Sequence, residues 1–450
     1  MNPIIIKEKI IPYKPNFLVH TPNKDTIERR YRKSRPYVYG LIYDMNHLYS
    51  SFRKASKGSN WKKSVQVYEK NAVYNLYKLY NRLINKTYEQ KEFYEFTLCE
   101  RGKTRSIKAM YIEDRIVQRT LSDYVLTPII TDYLIYDNPA SLKGKGIDFC
   151  RKRLETHFHR FYRKYRRNGY ILKIDFSKFF DNLLHSYSKK IMHDIIDDEN
   201  ILWLIDLMID SFKQDISYME DDEYAQCLLT TFNSLDHQFY SEGHKTGEKI
   251  MEKSVGIGSH ISQLCGILYP TEMDNYCKIV KGLKYYGRYM DDIYIIHENK
   301  RFLQDLLVYL DNLCRSIGLF INPKKTRINP IRHGFTYLQI KYNLTDSGHI
   351  IRRPTTKTFT RERHRLKSFY RLLSCERISL PEIARCYRSW RGNLKKYDAY
   401  VSLQSMDRYF YQIFGIHYNE IDINPVHSIP EYSGLDRKYF YFQYYFPKES

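Results

Sequence analysis

Two aspartates stand side by side at Asp291 and Asp292, inside GRYMDDIYII (Gly287 to Ile296), between apolar and aromatic residues of the kind that form buried strands. A third, Asp175, closes another apolar run, ILKIDF (Ile171 to Phe176). A carboxylate carried into apolar surroundings without a partner is costly, so either the pair lies in an exposed turn or something cationic holds it. If LKYYGRYM and IYIIHE pair as antiparallel strands, the aspartates occupy the tight turn between them. If ILKI is a neighbouring strand, Asp175 reaches the same sheet edge. Like charges so placed repel unless divalent cations bridge them. Magnesium favours a few carboxylates together with water and substrate phosphates. Two such ions roughly 4 Å apart clamp the attacking hydroxyl and the leaving pyrophosphate of an in-line displacement. That chemistry is nucleotidyl transfer. Taken alone, however, an Asp-Asp dipeptide in a hairpin is ordinary turn chemistry, and the surrounding segments must decide.

The elements around these carboxylates can be read along the chain. From Trp61 to Asn85 the periodicity predicts one helix with Val73, Leu76, Tyr77, Tyr80, Leu83 and Ile84 on a single side. EFYEFTLCERGKTRSIKAM predicts a hairpin around Arg101-Gly102-Lys103, with Lys103 and Arg105 on its tip and second strand. YIEDRIVQRTLSDYVLTPII reads as an amphipathic helix, and FHRFYRKYRRNGY as a basic helix ended by Asn168-Gly169. SKFFDNLLHSYSKKIM turns helical after the ILKIDF strand. Residues 194–250 are mixed and acidic, like an insertion on the exterior. SVGIGSHISQLCGILYPTEMDNYCK begins with glycines and continues as a helix, and FLQDLLVYLDNLCRSIG is helical. LFINPKKTRI and FTYLQIKYNL give short strands, and beyond about 350 the chain is basic and helical, ending in the aromatic YFYFQYYFPKES. His157 and His159 read as surface residues, Arg115 as pairing a neighbouring acid, and Asp181 as solvated.

The formal net charge of +22 at pH 7 makes nucleic acid the first partner to consider, because lysine and arginine gain affinity by releasing phosphate counterions. An anionic membrane is the competing partner, but no basic amphipathic helix supports it. The patch ERRYRKSRP (Glu28 to Pro36) reads equally as a phosphate contact or a solvated face. The cysteines are scattered singly, which suggests neither a zinc site nor a disulfide framework. The opening apolar run is too short for a signal peptide, and no segment is long enough to span a bilayer. A reduced, cytoplasmic protein without a membrane partner is expected.

In this order the segments resemble reverse transcriptases of bacterial type, over roughly residues 65 to 400. YMDD (Tyr289 to Asp292) matches the family's YxDD turn, and KIDFSKFFDNL (Lys173 to Leu183) is similar to its first palm motif. The resemblance implies catalytic, metal-holding roles for Asp175, Asp291 and Asp292. It makes Phe180 the bulky residue that excludes the ribose 2′-hydroxyl, Gly258 of SVGIGSHISQ a point of close backbone approach, and Gln263 a neighbour of the template or incoming base. Lys325 of INPKKTRI would stand near the triphosphate, with Lys103 and Arg105 on its oxygens. GFTYLQI resembles the hairpin that grips the primer end, and SLKGKG (Ser141 to Gly146) a further basic segment of these enzymes. RSWRGNLKKYDAY is similar to the thumb helix of diversity-generating retroelement enzymes, and the palm motifs resemble group II intron enzymes as well. On residue chemistry alone, Lys325 can also be read as a solvated strand-end lysine, Lys103 and Arg105 as exposed hairpin charge, Phe180 as plain core, and Gln263 as part of a polar helix face.

The fold so implied is α+β, a right-hand polymerase with an antiparallel palm sheet and a helical thumb. Its expected divisions are a basic N-terminal extension (1–60), fingers (61–170), a palm (171–345) with an acidic insertion at about 194–250, and a thumb with an aromatic tail (346–450). The implied cofactors are two magnesium ions, with manganese the alternative. The implied partners are dNTPs, a DNA product and an RNA template, with a dedicated noncoding RNA, a partner protein or a homo-oligomer left open. GIGSH replaces the usual proline-glutamine-glycine, which keeps template-independent or protein-primed DNA synthesis open at the same site. A non-catalytic RNA-binding scaffold is the reading of another class, and the intact aspartates count against it. No zinc-finger endonuclease pattern follows the thumb and too little chain remains for a ribonuclease H domain. The resemblance therefore points to stand-alone bacterial enzymes, the unknown-group and abortive-infection relatives, which often serve in antiviral defence.

Overall fold

The computed structural model describes residues 38–423, apart from 101 and 238–245. The patch Glu28 to Pro36, most of the expected N-terminal extension and the aromatic YFYFQYYFPKES lie outside the described residues. In chain order the strands are β1 (Tyr94–Glu100), β2 (Lys103–Ala109), β3 (Tyr170–Ile174), the two-residue β4 (Gln214–Asp215) and β5 (Ile250–Met251), β6 (Tyr286–Tyr289), β7 (Asp292–His297), β8 (Arg327–Pro330), β9 (Phe335–Tyr337), β10 (Ile340–Leu344) and β11 (Ile350–Pro354). β6, β7, β3 and β8 form a four-stranded antiparallel sheet in that order. β1 and β2 make the expected hairpin, and β9, β10 and β11 a separate meander.

β3 is central and covered on both faces, which is why ILKI reads as an apolar run rather than an alternating strand. Leu172 and Ile174 join Ile293 and Ile295 in the larger core, together with the helices Glu199–Asp210, His260–Leu268 and Lys300–Ser316. On the opposite face Ile171, Tyr294 and Ile296 pack with Leu154, Phe158 and Phe161 of the helix Ile147–Tyr165 and with Phe335, Tyr337 and Tyr342 of the meander. The helices Thr356–Ser374, Leu380–Leu394 and Tyr400–Phe414 enclose a core of their own around Leu366, Tyr387, Met406 and Phe410. The middle helix starts with Ser379 and Glu382 bonding each other's backbone and side chain, a capping box. No helix among the described residues is long and apolar enough to cross a membrane.

Several expectations need correction. The single helix over 61–85 is two, Lys63–Lys70 and Ala72–Ile84. Leu76, Leu79 and Leu83 are its buried stripe, whereas Val73 is 73% exposed and Tyr77 and Ile84 are also exposed. The aliphatic stripe wins because a surface tyrosine keeps its hydroxyl in water. Residues 194–250 are not one exterior insertion. Ile201, Leu204, Ile205, Met208 and Ile209 are buried in the main core, and only the later part forms a satellite around Ile216, Met219, Phe232 and Met251. The satellite closes on a buried lysine: Lys253 Nζ donates to the carbonyls of Cys227, Leu228 and Thr230, at the end of the helix Asp221–Leu229. His157 is buried rather than superficial, with Nδ1 3.0 Å from the Tyr294 hydroxyl. Arg115 donates to Ser59 Oγ and the Ala55 carbonyl instead of an acid, and Asp181 accepts from Ser234 Oγ at 2.7 Å.

The hairpin docks where glycine allows it. The Lys108 N–H donates to the Ile257 carbonyl at 3.1 Å, and Gly258 sits at φ +125° with the Lys108 carbonyl 3.1 Å from where a Cβ would stand. The close approach that Gly258 permits is thus to strand β2. Gly258→Ala should cost about 1–3 kcal/mol through its forbidden backbone conformation and loosen the hairpin. Denaturant unfolding of parent and variant checks this, and an unchanged midpoint would contradict it.

Candidate active site

The turn Tyr289–Asp292 joins β6 to β7, with Met290 in the left-handed region at φ 54°. Asp291 therefore occupies the turn, while Asp292 is already the first residue of β7. The last register pair between β3 and β7 is Ile174 with Ile293, so Asp175 and Asp292 come next, beside each other at the end of the two strands.

A loop after the helix Lys300–Ser316 pins Asp175 from the other side. The Asn322 N–H donates to the Asp175 carbonyl at 2.8 Å, and the Asp175 N–H donates to Thr326 Oγ1 at 3.3 Å. Asn322 Oδ1 in turn accepts from the N–H groups of Lys324 and Lys325, an Asx turn that fixes the lysine backbone. The result is an ion pair, Lys325 Nζ to Asp175 Oδ1 at 2.9 Å. A second lysine does the same for the neighbour: Lys173 Nζ lies 3.1 Å from Asp292 Oδ1. Asp291 is left with the electrostatic burden. Burial first, and then the charges of Asp292 and Asp175, push its carboxyl up to about 6, while Lys103 pulls it the other way. The hairpin lysine is thus within electrostatic reach of the turn.

With lysines on two of the carboxylates, no group of three or more His, Cys, Asp or Glu side chains among the described residues is drawn together as a metal cluster. The donor chemistry nevertheless fits magnesium: hard carboxylate oxygens, two of the groups already paired with ammonium where a cation is needed and the third, Asp291, holding its proton more tightly beside them.

The two lysines also line a cleft of about 230 Å³ between the four-stranded sheet and the meander. Arg327 and Lys341 complete its basic lining, with Asn329 and Thr336 as further polar groups and no carboxylate among the lining residues. Such a surface suits phosphate oxygens.

The remaining residues singled out in the sequence fall as follows. Phe180 is half-buried, edge-on to Phe179 with centroids 5.3 Å apart, and lies 3.0 Å from where a Cβ on Gly266 would stand. Gln263 is exposed on a helix whose residues from Ile261 to Leu268 are otherwise buried. Arg105 is paired with Glu100 across the hairpin at 3.4 Å. Gly258 meets strand β2, as described. Lys173 is the residue the sequence reading missed, although a signal was present. It stands on β3 two residues before Asp175, which follows the strand's end, and residues two apart in extended chain share a face.

The sequence pattern of the family described as reverse transcriptase (RNA-dependent DNA polymerase) matches residues 84–342, which takes in the hairpin, the three aspartates and both lysines. No curated protein sequence matches the chain. Among solved structures the chain is similar to that of telomerase from Candida albicans in complex with a TWJ fragment of telomeric RNA, at 13% identity and a TM-score of 0.40. The alignment covers 77% of this chain and 66% of that one, so the chain spans just under two-thirds of its length. The family pattern extends over more than half of the 450 residues, and the α+β arrangement of sheet and helices agrees with it; the protein is a member of the reverse transcriptase family.

Proposed function

We propose that this chain builds DNA on an RNA template at the β6–β7 turn, with Asp175, Asp291 and Asp292 holding two magnesium ions, or manganese in their place. The observation that carries the reading is that Asp175 and Asp292 close neighbouring strands, each paired with a lysine, while Asp291 in the adjoining turn feels the charge of both. Bound there, the ions supply activation of the primer 3′-hydroxyl and neutralisation of the leaving pyrophosphate. The chain's own residues do the rest. Lys173 and Lys325 keep Asp292 and Asp175 ordered, and their ammonium groups stand at the rim of the basic cleft, ready for phosphate oxygens. Lys103 brings a further charge from the hairpin, with Arg105 beside it. Phe180 packs under the deoxyribose, where a ring leaves room for hydrogen but not for oxygen, and Gln263 faces the base. Gly258 acts indirectly, by seating the hairpin that carries Lys103.

In this reading residues 61–170 are the fingers, 171–345 the palm, and the three-helix unit beyond 346 the thumb that holds the duplex. The template is RNA, a dedicated noncoding RNA being one form, and the substrates are dNTPs. The unpaired state of all eight cysteines supports a reducing compartment, the cytoplasm. On motif order alone, the narrower assignment is to the bacterial enzymes of antiviral defence.

With Mg²⁺, four dNTPs and the RNA that co-purifies with the protein, Asp291→Ala/Asp292→Ala should lower incorporation by on the order of 10³-fold, as loss of several kcal/mol of charge stabilisation requires. Parent activity no higher than that of the variant would end the polymerase reading. Bound RNA without any DNA product would favour the scaffold, and DNA of one repetitive composition without a matching RNA would favour untemplated synthesis. Phe180→Ala should admit ribonucleotides, read as the ratio of rNTP to dNTP incorporation; an unchanged ratio removes Phe180 from that role.

Stability gives an independent check on Asp291. Because its folded carboxyl holds a proton more tightly than the unfolded one, its contribution is favourable at low pH and is lost as pH rises through about 6. Asp291→Asn should therefore stabilise the metal-free protein at pH 7–8 by on the order of 1 kcal/mol after solvent screening, read as a higher melting temperature. It should leave stability near pH 4 unchanged and abolish incorporation. A variant less stable than the parent at pH 8 would contradict the repulsion.

A further inference from the structure

Arg288 lies on β6, three residues ahead of Asp291, and its side chain and that of its partner Asp274 are both 0% exposed. Nε donates to the two Asp274 oxygens at 2.9 and 3.0 Å, and Nη2 to Oδ2 at 2.6 Å. The rest of the fork goes to backbone. Nη2 donates to the Ile267 carbonyl at 2.7 Å and Nη1 to the Met290 carbonyl at 3.3 Å. The Tyr286 hydroxyl also donates to Asp274, and the Arg288 N–H donates to the Asp137 carbonyl at 3.1 Å.

A fully buried ion pair is a weak source of stability, because desolvating both charges offsets their attraction. Its value here is geometric. The Met290 carbonyl belongs to the peptide that joins Met290 to Asp291, and Met290 is itself held at a positive φ that only its surroundings can impose. An arginine that merely filled the core would need no bond to that peptide. Beyond Asp291, the Asp292 carbonyl accepts from the Tyr337 hydroxyl at 3.4 Å, so the peptides before and after the Asp291–Asp292 pair are both tied to buried side chains.

We propose that Arg288 is a positioning residue for the reaction: anchored on Asp274 and the Ile267 carbonyl, its guanidinium fixes the peptide that carries Asp291 and so sets where that carboxylate stands. The proposal rests on the reading of Asp291 as a metal-holding residue. It places the determinant of active-site geometry in the core behind the turn.

Two variants separate this role from folding. Arg288→Lys keeps the charge on Asp274 but cannot span Asp274, Ile267 and Met290 together. The triple change Arg288→Met/Asp274→Leu/Tyr286→Phe removes the buried charges as a set, a replacement that such pairs tolerate without loss of stability. In both, kcat for dNTP incorporation should fall on the order of 10- to 100-fold with KM for the dNTP unchanged, as misplacement by an ångström or less predicts. Amide exchange at Tyr289–Ile293 in the metal-free protein should accelerate, while exchange in the distant helix Leu380–Leu394 stays as in the parent. A folded variant with parental kcat and parental protection of the turn overturns the proposal. If Arg288→Lys fails to fold, the triple variant decides, since it removes both charges of the Arg288–Asp274 pair together. A parent that incorporates no nucleotide would defeat the polymerase reading by itself, and the exchange comparison would still decide whether Arg288 fixes the turn.

Discussion

Crowding three carboxylates at the end of a buried sheet is the constraint to which the rest of this structure answers. Asp175 and Asp292 become neighbours because β3 and β7 pair up to Ile174 and Ile293, and Asp291 is added by the turn. Each feature nearby lowers the cost of that arrangement. Lys325 and Lys173 take one carboxylate each, Lys103 favours the ionised form of the third, and Asp291 meets the remaining repulsion by holding its proton more tightly.

Buried charge and polar groups recur as organisers of backbone where apolar packing alone cannot specify a direction. Arg288 joins a strand, a helix end and a turn. Lys253 gathers three carbonyls at the close of the satellite. Asp137 receives Arg153 at 2.6 Å and Lys278 at 2.7 Å, and burial pushes the adjacent His157 down to about 3, which keeps the ring neutral between Asp137 and the Tyr294 hydroxyl. Tyr294 lies on β7, two residues beyond Asp292, so this polar cluster braces the same strand that carries the site. Partly satisfied, such groups would be expensive; bonded as they are, they define one geometry.

The periphery is joined by fewer and more exposed contacts. The hairpin reaches the sheet through the Lys108 N–H and the glycine at 258. The three-helix unit meets the meander and the helix Ile147–Tyr165 through polar groups: the Arg352 N–H donates to Asp398 at 2.7 Å and Arg151 to the Tyr397 hydroxyl at 2.6 Å.

Much of this was legible in the sequence because it depends on local pattern. The apolar runs that end in Asp175 and flank Asp291 fix strands, and the strands fix where their terminal carboxylates lie. The hairpin from Tyr94 to Ala109 was readable for the same reason. Partnership was not legible. Nothing local says that Lys325, 150 positions away, sits on Asp175, that Ile201 to Ile209 enter the main core despite acidic neighbours, or that His157 is buried. Val73, Tyr77 and Ile84 matched a helical face as well as the leucines did, and only the surfaces available for packing chose between them. The sequence by itself determined the elements and the chemistry at their ends, because backbone preference and burial are short-range. The tertiary structure alone decided which charges meet, because charge pairing depends on distances that the chain sets only after it has folded.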